Sequence, residues 1–270
     1  MPYNKVTMSA TELLKKYFGF SDFRGRQKEV VEHLTAGGDA LVVWPTGSGK
    51  SLCYQLPSLL LEDLTLVVSP LIALMQDQVD QARQKGLPFT FINSSLSRED
   101  REKRLAEIEG GKWKAVFVTP ERFRQDSFWQ ALANRRVSLF AVDEAHCISQ
   151  WGHDFRPEYS RLGEIRARLG NPPTAALTAT ATVDVQKEIL ASLGIPDGKV
   201  FWDGVERENL FLSVHDMNSD EDKVEWLLEY LKTAQGPVLI YFSLIKRLHE
   251  TLEQLQRGGI GAAYYHGEVP

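Results

Sequence analysis

Cysteine is scarce in this sequence, with only Cys53 and Cys147 among 270 residues. Two cysteines are too few for a disulfide framework and cannot supply a four-cysteine zinc site. Both lie inside apolar or motif-bearing segments, so we interpret them as small buried or half-buried thiols. We therefore expect no zinc site within this chain.

Long apolar runs and an excess of basic residues are missing as well. No run approaches the length of a membrane span, and the first ten residues, MPYNKVTMSA, lack the apolar stretch of a secretory signal. We therefore expect a cytoplasmic protein with no membrane partner. The net charge of -5 argues against a broadly basic face, so any phosphate-binding surface must be a local groove.

Short β-branched runs alternate with amphipathic helical stretches, which indicates the α/β class with a parallel sheet covered by helices. Several of the runs are apolar without alternation, as expected of strands buried on both faces. Strands are predicted at residues 40–44, 64–68, 89–92, 115–118, 139–142 and 174–177. Helices are predicted near 10–18, 26–36, 50–61, 71–85, 97–109, 125–133, 158–169 and 183–193.

A second unit is predicted to begin near residue 205, which divides the chain into domains 1–205 and 206–270. Its predicted strands are 210–214, 238–242 and 262–265, and its predicted helices begin near 222 and 245. These elements make only about half of an α/β domain. We expect the unfinished sheet to leave apolar surface and an open edge, which would favour self-association.

The segment Pro45-Thr-Gly-Ser-Gly-Lys-Ser51 joins a predicted strand to a predicted helix, as a phosphate-binding loop does. Its glycines let backbone N–H groups surround phosphates, and the helix N-terminus adds partial positive charge. Lys50 would reach the β- and γ-phosphates of ATP, and the Ser51 hydroxyl would hold Mg²⁺. The full pattern asks for glycine at position 44, where this chain has tryptophan. The residues expected to bind the nucleotide here are Thr46, Gly47, Ser48, Gly49, Lys50 and Ser51.

A second candidate motif, Asp143-Glu-Ala-His146, follows an apolar predicted strand. Ligands bind at the carboxyl ends of strands in open α/β sheets, where these carboxylates would lie. Asp143 would hold the Mg²⁺ shell, and Glu144 would orient and deprotonate the attacking water. Adjacent acids at a strand end are also common on ordinary surfaces, but the Lys50 loop upstream makes an ATP-hydrolysing site the better interpretation.

The TGSGKS and DEAH segments together resemble the superfamily 2 helicases, and their neighbours resemble the RecQ family of DNA helicases. The stretch FGFSDFRGRQ, residues 18–27, is similar to that family's adenine-recognition segment. The resemblance implies that Gln27 contacts adenine, assisted by Phe20 and Arg24, and that His146 joins the catalytic residues. The alternative for Phe18, Phe20 and Phe23 is plain core packing.

Residues 68–79 and 118–123 resemble the first-lobe motifs that hold the backbone of a single DNA strand. Small hydroxyls and loop N–H groups suit such contacts, which carry no sequence information. The alternative is a pair of ordinary strand-to-helix loops. The DNA-binding residues implied by the resemblance are Ser69, Pro70, Gln76, Thr119, Pro120, Glu121 and Arg122.

The aromatic-rich loop directly after the DEAH segment is similar to the RecQ signature. Trp151 and Phe155 could stack on bases, while His153 and Arg156 could sense phosphate. The alternative is that the two aromatic residues are buried anchors. Residues 177–182, LTATAT, match the family's coupling motif, with Thr178 and Thr180 as participants. On the plainer interpretation these threonines are strand-end hydroxyls and a helix cap.

The resemblance implies an ATP- and Mg²⁺-dependent DNA helicase that moves 3′→5′ on single-stranded and partly duplex DNA, together with recombination or repair proteins. The family's second lobe would also carry an arginine finger, which we do not find, so we expect slow hydrolysis by a chain that stops within that lobe. It would be a piece of a longer protein or a shortened natural one. The alternatives are a superfamily 2 RNA helicase and a non-catalytic module that binds nucleic acid or a partner.

Overall fold

The computed structural model describes residues 8–149, 156–204 and 210–269. The chain divides into two compact units, residues 1–206 and 207–270. The first unit contains a single described sheet with helices on both faces, and the second contains two helices. No helix within the described residues is long and apolar enough to cross a bilayer.

Seven parallel strands form the sheet of the first unit, in the order β3-β4-β2-β5-β6-β1-β7. The strands are β1 Ala40–Val43, β2 Leu64–Val68, β3 Phe89–Ile92, β4 Ala115–Val118, β5 Val137–Val142, β6 Thr174–Thr178 and β7 Lys199–Trp202. The predicted α/β class, its parallel sheet and the first six strands are confirmed. Strand β7 escaped prediction because it is an edge strand in which only Phe201 is buried, so its sequence lacks an apolar run.

The apolar strands supply two cores, one on each face of the sheet. Successive residues of a strand point to opposite faces. In β1, Leu41 and Val43 belong to the core that contains Phe140, whereas Ala40 and Val42 belong to the core that contains Phe117. Every residue of β1 is buried, which explains why the strand sequence shows no polar alternation.

The described helices match the predicted ones closely, and several begin at a side-chain cap. Ser9 and Glu12 form a capping box, and the hydroxyls of Ser97 and Thr182 accept N–H bonds at the starts of two other helices. The α-helices of the first unit are α1 Ala10–Leu13, α2 Gln27–Thr35, α3 Leu52–Leu60, α4 Ile72–Gln84, α5 Arg98–Glu109, α6 Asp126–Leu132, α7 Leu162–Arg168 and α8 Val183–Ser192. A π-helix, Leu14–Phe18, continues α1, and 3₁₀ turns cover Pro120–Arg124, Ala145–Ile148 and Tyr159–Arg161.

The second unit corrects the sequence prediction. Its helices, α9 Asp220–Thr233 and α10 Ile245–Arg257, were predicted, but the predicted strands at 210–214, 238–242 and 262–265 are wrong. A strand needs a neighbouring main chain to bond, and within residues 210–269 these segments make no main-chain hydrogen bonds with one another. Apolar character alone therefore does not form a sheet here.

Candidate nucleotide site and its neighbouring loops

The candidate motifs lie in the loops that follow β1, β2, β4, β5 and β6. Because all these strands are parallel, their carboxyl ends and the loops after them lie at one edge of the sheet. Helices α3, α4 and α8 leave from the same edge after their loops. The sheet topology therefore brings residues that are far apart in sequence to one region.

The loop between β1 and α3 has the backbone of a phosphate cradle. Gly47 has φ 82° and Gly49 has φ 83°, values that non-glycine residues rarely adopt. A Cβ atom at position 49 would also lie 2.5 Å from the Gln27 side-chain nitrogen. The loop therefore needs glycine at position 49 for its backbone, and a Cβ atom there would displace the Gln27 side chain.

Trp44 stands where the full loop pattern has glycine, and the fold accommodates it. The residue is 2% exposed, within one of the two sheet cores, and its backbone N–H donates to the Thr178 carbonyl at 3.2 Å. The tryptophan therefore continues the sheet packing one residue beyond β1. Only its carbonyl faces the loop, where it accepts a hydrogen bond from Lys50 at 2.9 Å.

Lys50 is held close to both predicted carboxylates. Its Nζ donates to the carbonyls of Trp44 at 2.9 Å and Pro45 at 3.2 Å. Burial lowers the pKa of the ammonium group, whereas the charges of Glu144 and Asp143 oppose that shift. Ser48 Oγ is buried in the same loop without a hydrogen-bond partner among the described residues. A cation and an unused hydroxyl in one glycine-bearing loop fit the phosphates of a nucleotide.

Gln27 is packed against this loop rather than pointing into solvent. It is 6% exposed, accepts a hydrogen bond from Arg24 N at 2.9 Å and donates to the Gly49 carbonyl at 3.2 Å. Arg24 Nη1 reaches the Gly47 carbonyl at 3.5 Å. Phe20 is 57% exposed, whereas Phe18 and Phe23 pack against the core. The segment 18–27 therefore lies beside the phosphate loop, and adenine recognition by Gln27 stays a prediction.

The two carboxylates at the end of β5 have different environments. Burial, and then the charge of Glu144, raises the pKa of Asp143 to about 6. Asp143 N donates to the Val68 carbonyl at 2.8 Å, which fixes the residue to the neighbouring strand. Glu144 has φ 49°, a left-handed conformation that is uncommon for a residue with a side chain. This turn gives Glu144 a less buried position than Asp143.

Gln78 contacts this centre, and the sequence analysis missed it. It comes from α4, its side chain lowers the pKa of Asp143, and it accepts a hydrogen bond from the Tyr54 hydroxyl. Tyr159, fully buried, donates from its hydroxyl to the Asp143 carbonyl at 3.1 Å. Burial raises the pKa of both tyrosines well above the usual value, so they stay protonated donors. The available signal was a glutamine next to Val79 on the buried face of α4.

His146 joins the carboxylate turn to the loop after β6. Its Nδ1 lies 2.9 Å from Thr178 Oγ1 and 3.3 Å from Glu144 Oε2. Thr178 Oγ1 in turn donates to the Thr180 carbonyl at 3.1 Å and accepts from Thr180 N at 3.3 Å. The His146 ring therefore joins Glu144 of one predicted motif to Thr178 of another.

Comparison with known proteins now identifies the family. The family model described as "DEAD/DEAH box helicase" matches residues 24–189. The chain belongs to the DEAD/DEAH box helicases. It is 40% identical over 258 residues to an ATP-dependent DNA helicase RecQ of Haemophilus influenzae, an alignment that covers 96% of this chain and 41% of that protein.

The RecQ resemblance is confirmed by further relatives. A probable ATP-dependent DNA helicase RecS of Bacillus subtilis is 37% identical over 95% of this chain and 52% of its own length. A RecQ helicase of Synechocystis is 40% identical over 96% of this chain and 56% of its own length. The chain therefore spans about half the length of the curated relatives that it matches.

Solved structures support the fold. The crystal structure of the DUF1998 helicase MrfA matches with a TM-score of 0.70 and 19% identity, over 95% of this chain and 41% of that chain. A hypothetical ATP-dependent RNA helicase from Sulfolobus tokodaii matches with a TM-score of 0.56 and 20% identity, over 91% of this chain and 71% of that chain. At these identities the likeness shows the helicase fold alone.

The loops that resemble helicase DNA motifs differ in how accessible their residues are. Ser69 is 1% exposed and its hydroxyl has no partner among the described residues, and Pro120 is buried too. Gln76 Nε2 donates to Ser95 Oγ at 2.8 Å. Glu121 is exposed. The other three predicted DNA contacts in these loops, which are partly exposed, are Pro70, Thr119 and Arg122.

Arg156 connects the loop after the DEAH segment to the loop after β2. Its backbone N–H donates to the Cys147 carbonyl at 3.0 Å, and its Nη1 donates to the Pro70 carbonyl at 3.2 Å. This contact joins two of the predicted helicase motifs. The predictions for Trp151, His153 and Phe155 lie outside the described residues.

Ser51 and Asp143 suit a magnesium ion that is shared with a nucleotide. No group of three His, Cys, Asp or Glu side chains converges within the described part of this helicase-family chain. Mg²⁺ typically keeps several waters and takes only one or two protein ligands beside substrate phosphates. A hydroxyl at the start of α3 and a carboxylate at the end of β5 fit that requirement.

Proposed function

We propose that this chain is the ATP-hydrolysing and DNA-gripping part of a RecQ-type DNA helicase. The observation that carries the proposal is the convergence of Lys50, Asp143 and Glu144, joined through His146 to Thr178. A glycine loop alone would suggest only nucleotide binding. The contacts from Glu144 through His146 to Thr178 would let ATP hydrolysis change the conformation of the loop after β6.

In the proposed reaction, water attacks the γ-phosphorus of ATP and the bond to the β–γ bridging oxygen breaks, leaving ADP and phosphate. Lys50 and the N–H groups of the glycine loop neutralise charge on the β- and γ-phosphates. Glu144 accepts the proton of the attacking water. Bound Mg²⁺ would neutralise phosphate charge, with Ser51 and Asp143 as its protein ligands.

The phosphate loop has to reorganise when nucleotide binds. Lys50 would exchange the carbonyls of Trp44 and Pro45 for phosphate oxygens, which are stronger, charged acceptors. Gln27 would exchange its bonds to the loop for the adenine edge, with Phe20 and Arg24 beside it. The loop residues Thr46, Gly47, Ser48 and Gly49 would supply the remaining phosphate contacts.

Coupling to DNA would run through the connections between motifs. His146, Thr178 and Thr180 connect the hydrolytic centre to the loop before α8. Arg156 connects the loop after the DEAH segment to Pro70. We propose that the strand backbone binds along the loops after β2 and β4, and that Trp151, His153 and Phe155 sense it.

The finer features of the activity rest on the resemblance to RecQ helicases. These are movement in the 3′→5′ direction, action on single-stranded and partly duplex DNA, and a place in recombination or repair. A cytoplasmic location, at the nucleoid if the protein is bacterial, is also part of the proposal. Protein partners and self-association through residues 206–270 stay predictions.

A superfamily 2 RNA helicase is the closest alternative, and a non-catalytic binding module is the alternative of another class. The DNA proposal is favoured by relatives whose names are DNA helicases along nearly this whole chain. The catalytic proposal is favoured because Lys50, Asp143 and Glu144 are all present and close together.

Steady-state ATP hydrolysis with and without single-stranded DNA tests the proposal. We expect oligo-dT to stimulate turnover more than oligo-rU does. Lys50→Ala should lower the stimulated rate by on the order of 10²–10³, because it removes a charge that stabilises the transition state. Turnover that prefers RNA would support the RNA helicase. Nucleic-acid binding without any Lys50-dependent turnover would support the binding module.

A further inference from the structure

A hydrogen bond joins the turn that follows Glu144 to helix α8. The Ser149 hydroxyl donates to Glu188 Oε2 at 2.5 Å. Ser149 ends the 3₁₀ turn Ala145–Ile148 and is completely buried, whereas Glu188 lies half-buried on α8. A hydroxyl that donates to a carboxylate forms a charge-assisted bond, roughly twice as strong as a bond between neutral groups. Neither of these two residues belongs to the predicted site.

The turn is therefore held at both ends. At its start, the Asp143 N–H donates to the Val68 carbonyl at 2.8 Å, and the Asp143 carbonyl accepts from the Tyr159 hydroxyl at 3.1 Å. At its end, Ser149 bonds to Glu188. The sheet thus fixes one end of the segment, and α8 fixes the other.

Apolar contacts also hold the turn against α8. Cys147 and Ile148 of the turn share a core with Ile189 of α8, and Val185 of the same helix packs against that core. Hydrophobic contact is non-directional, so it keeps the turn and the helix together without fixing the rotation of the turn. A hydrogen bond has preferred angles, so the bond to Glu188 supplies that constraint.

Glu144 depends on such constraints because its backbone conformation is unfavourable. With φ 49° it lies in the left-handed region, which a residue with a side chain occupies only where the surrounding structure enforces it. The conformation brings Glu144 Oε2 to 3.3 Å from His146 Nδ1. If the end of the turn were released, the backbone would relax toward a more favourable region, and the carboxylate would move away from the histidine.

We propose that Glu188 is a positioning residue for ATP hydrolysis, which holds Ser149 and thereby keeps the Glu144 carboxylate in place. The inference rests on the proposed role of Glu144 as the base and adds a residue outside every predicted motif. The phosphate loop is anchored separately, by the bond from Gln27 to the Gly49 carbonyl. Loss of the Ser149–Glu188 bond should therefore slow the chemical step without weakening ATP binding.

The test is steady-state ATP hydrolysis by the whole chain, with and without oligo-dT. We expect Glu188→Ala and Ser149→Ala each to lower kcat about tenfold in both conditions at an unchanged KM, because misplacing a catalytic group by about 1 Å costs up to roughly 10² in rate. The double variant should lose no more than the larger single loss, since both changes remove one bond. Glu188→Gln keeps an acceptor and should retain most of kcat.

Asp184→Ala is the matched control, because it removes an exposed carboxylate from the same helix, and its kcat should stay at the wild-type value. Glu144→Gln tests the base itself and should lose nearly all turnover. If Glu144→Gln keeps its turnover, the proposed function fails at the base. If Glu144→Gln loses turnover while Glu188→Ala behaves like Asp184→Ala, the base stands and the positioning proposal is overturned.

Three other outcomes would also overturn the positioning proposal. A raised KM with an unchanged kcat would assign the Ser149–Glu188 bond to nucleotide binding. A fall in kcat that is confined to the reaction with oligo-dT would assign it to DNA coupling. A lower melting temperature with a loss of kcat that Glu188→Gln shares in full would assign it to folding. Ser149→Ala is the smaller change and decides the matter if Glu188→Ala does not fold.

Discussion

Similar apolar runs behave differently in the two units of this chain. In the first unit, β1 bonds to β6 on one side and β7 on the other, and Val42 is completely buried. In the second unit, the run 238–242 makes no main-chain ladder, and Tyr241 is 89% exposed. The comparison teaches that β-propensity describes a residue's fit to a sheet that other segments must supply.

The two units also differ in what their polar groups do. At the edge of the first sheet, the Tyr54 hydroxyl donates to Gln78, and Gln78 in turn lowers the pKa of the buried Asp143. In the second unit, charged pairs such as Lys232 with Glu229 lie on exposed helix surfaces. Exposed pairs contribute little to stability, whereas the environment of a buried carboxylate controls its chemistry.

Hydrogen exchange should show the largest difference between the units. Amides of β2 and β5 open only with the whole fold, so we expect protection of roughly 10⁴ or more. Amides of residues 238–242 have no main-chain acceptor among the described residues and should exchange nearly as in a peptide. Mass spectrometry of peptides from both regions measures this. Equal protection would mean that the second unit forms a sheet in solution.

Replacing Asp143 by asparagine should stabilise the protein in EDTA and without nucleotide. The pKa of Asp143 is raised from 3.8 to about 6, so the unfolded state releases its proton at lower pH than the native state, and stability falls as pH rises through that window. The amide of the Asp143→Asn variant does not ionise, so the variant avoids this loss. Relative to the wild type, the free energy of unfolding of the variant should be higher by about 3 kcal/mol above pH ~6 and unchanged below pH ~4.

Urea denaturation at both ends of that pH window measures the gain. Asp80→Asn is the matched control, because Asp80 is exposed on α4, and it should change stability little at either pH. A gain of the same size at low and high pH would contradict the burial argument. ATP hydrolysis should fall in Asp143→Asn, so the stability gain and the activity loss belong to one carboxylate.

Gln78→Leu should lower kcat for ATP by roughly 10-fold, since Gln78 favours the charged form of Asp143 and a polar contact to a charged group contributes about 1.5 kcal/mol. Without this donor the pKa of Asp143 should rise further, and the acidic limb of the rate profile should move to higher pH. Gln81→Leu, an exposed position on the same helix, is the control. A fall in kcat with an unmoved pH profile would assign Gln78 to packing alone.

The smallest expected effect is in the second unit. Leu239 is 80% exposed, so Leu239→Ala should change the free energy of unfolding by about 0.5 kcal/mol or less. The matched change Leu66→Ala, in fully buried β2, should cost about 2–5 kcal/mol. Urea denaturation of both variants makes the comparison. Similar losses would show that residue 239 is buried in solution.

The sequence by itself determined much of the first unit, because its signals are local. Glycine at 47 and 49, the run of apolar residues before Asp143 and the helix caps each follow from neighbouring residues. The same signals located Lys50 and the two carboxylates. The helicase family follows from these motifs and is confirmed over residues 24–189.

Only the tertiary structure decided which residues meet. Gln78 and Asp143 are far apart in sequence, and parallel topology brings α4 beside the end of β5. The local pattern misled the strand predictions in two places. Residues of β7 form a strand although they lack an apolar run, whereas the apolar run 238–242 forms none. A strand exists where a neighbouring main chain accepts its hydrogen bonds, and no local pattern encodes that neighbour.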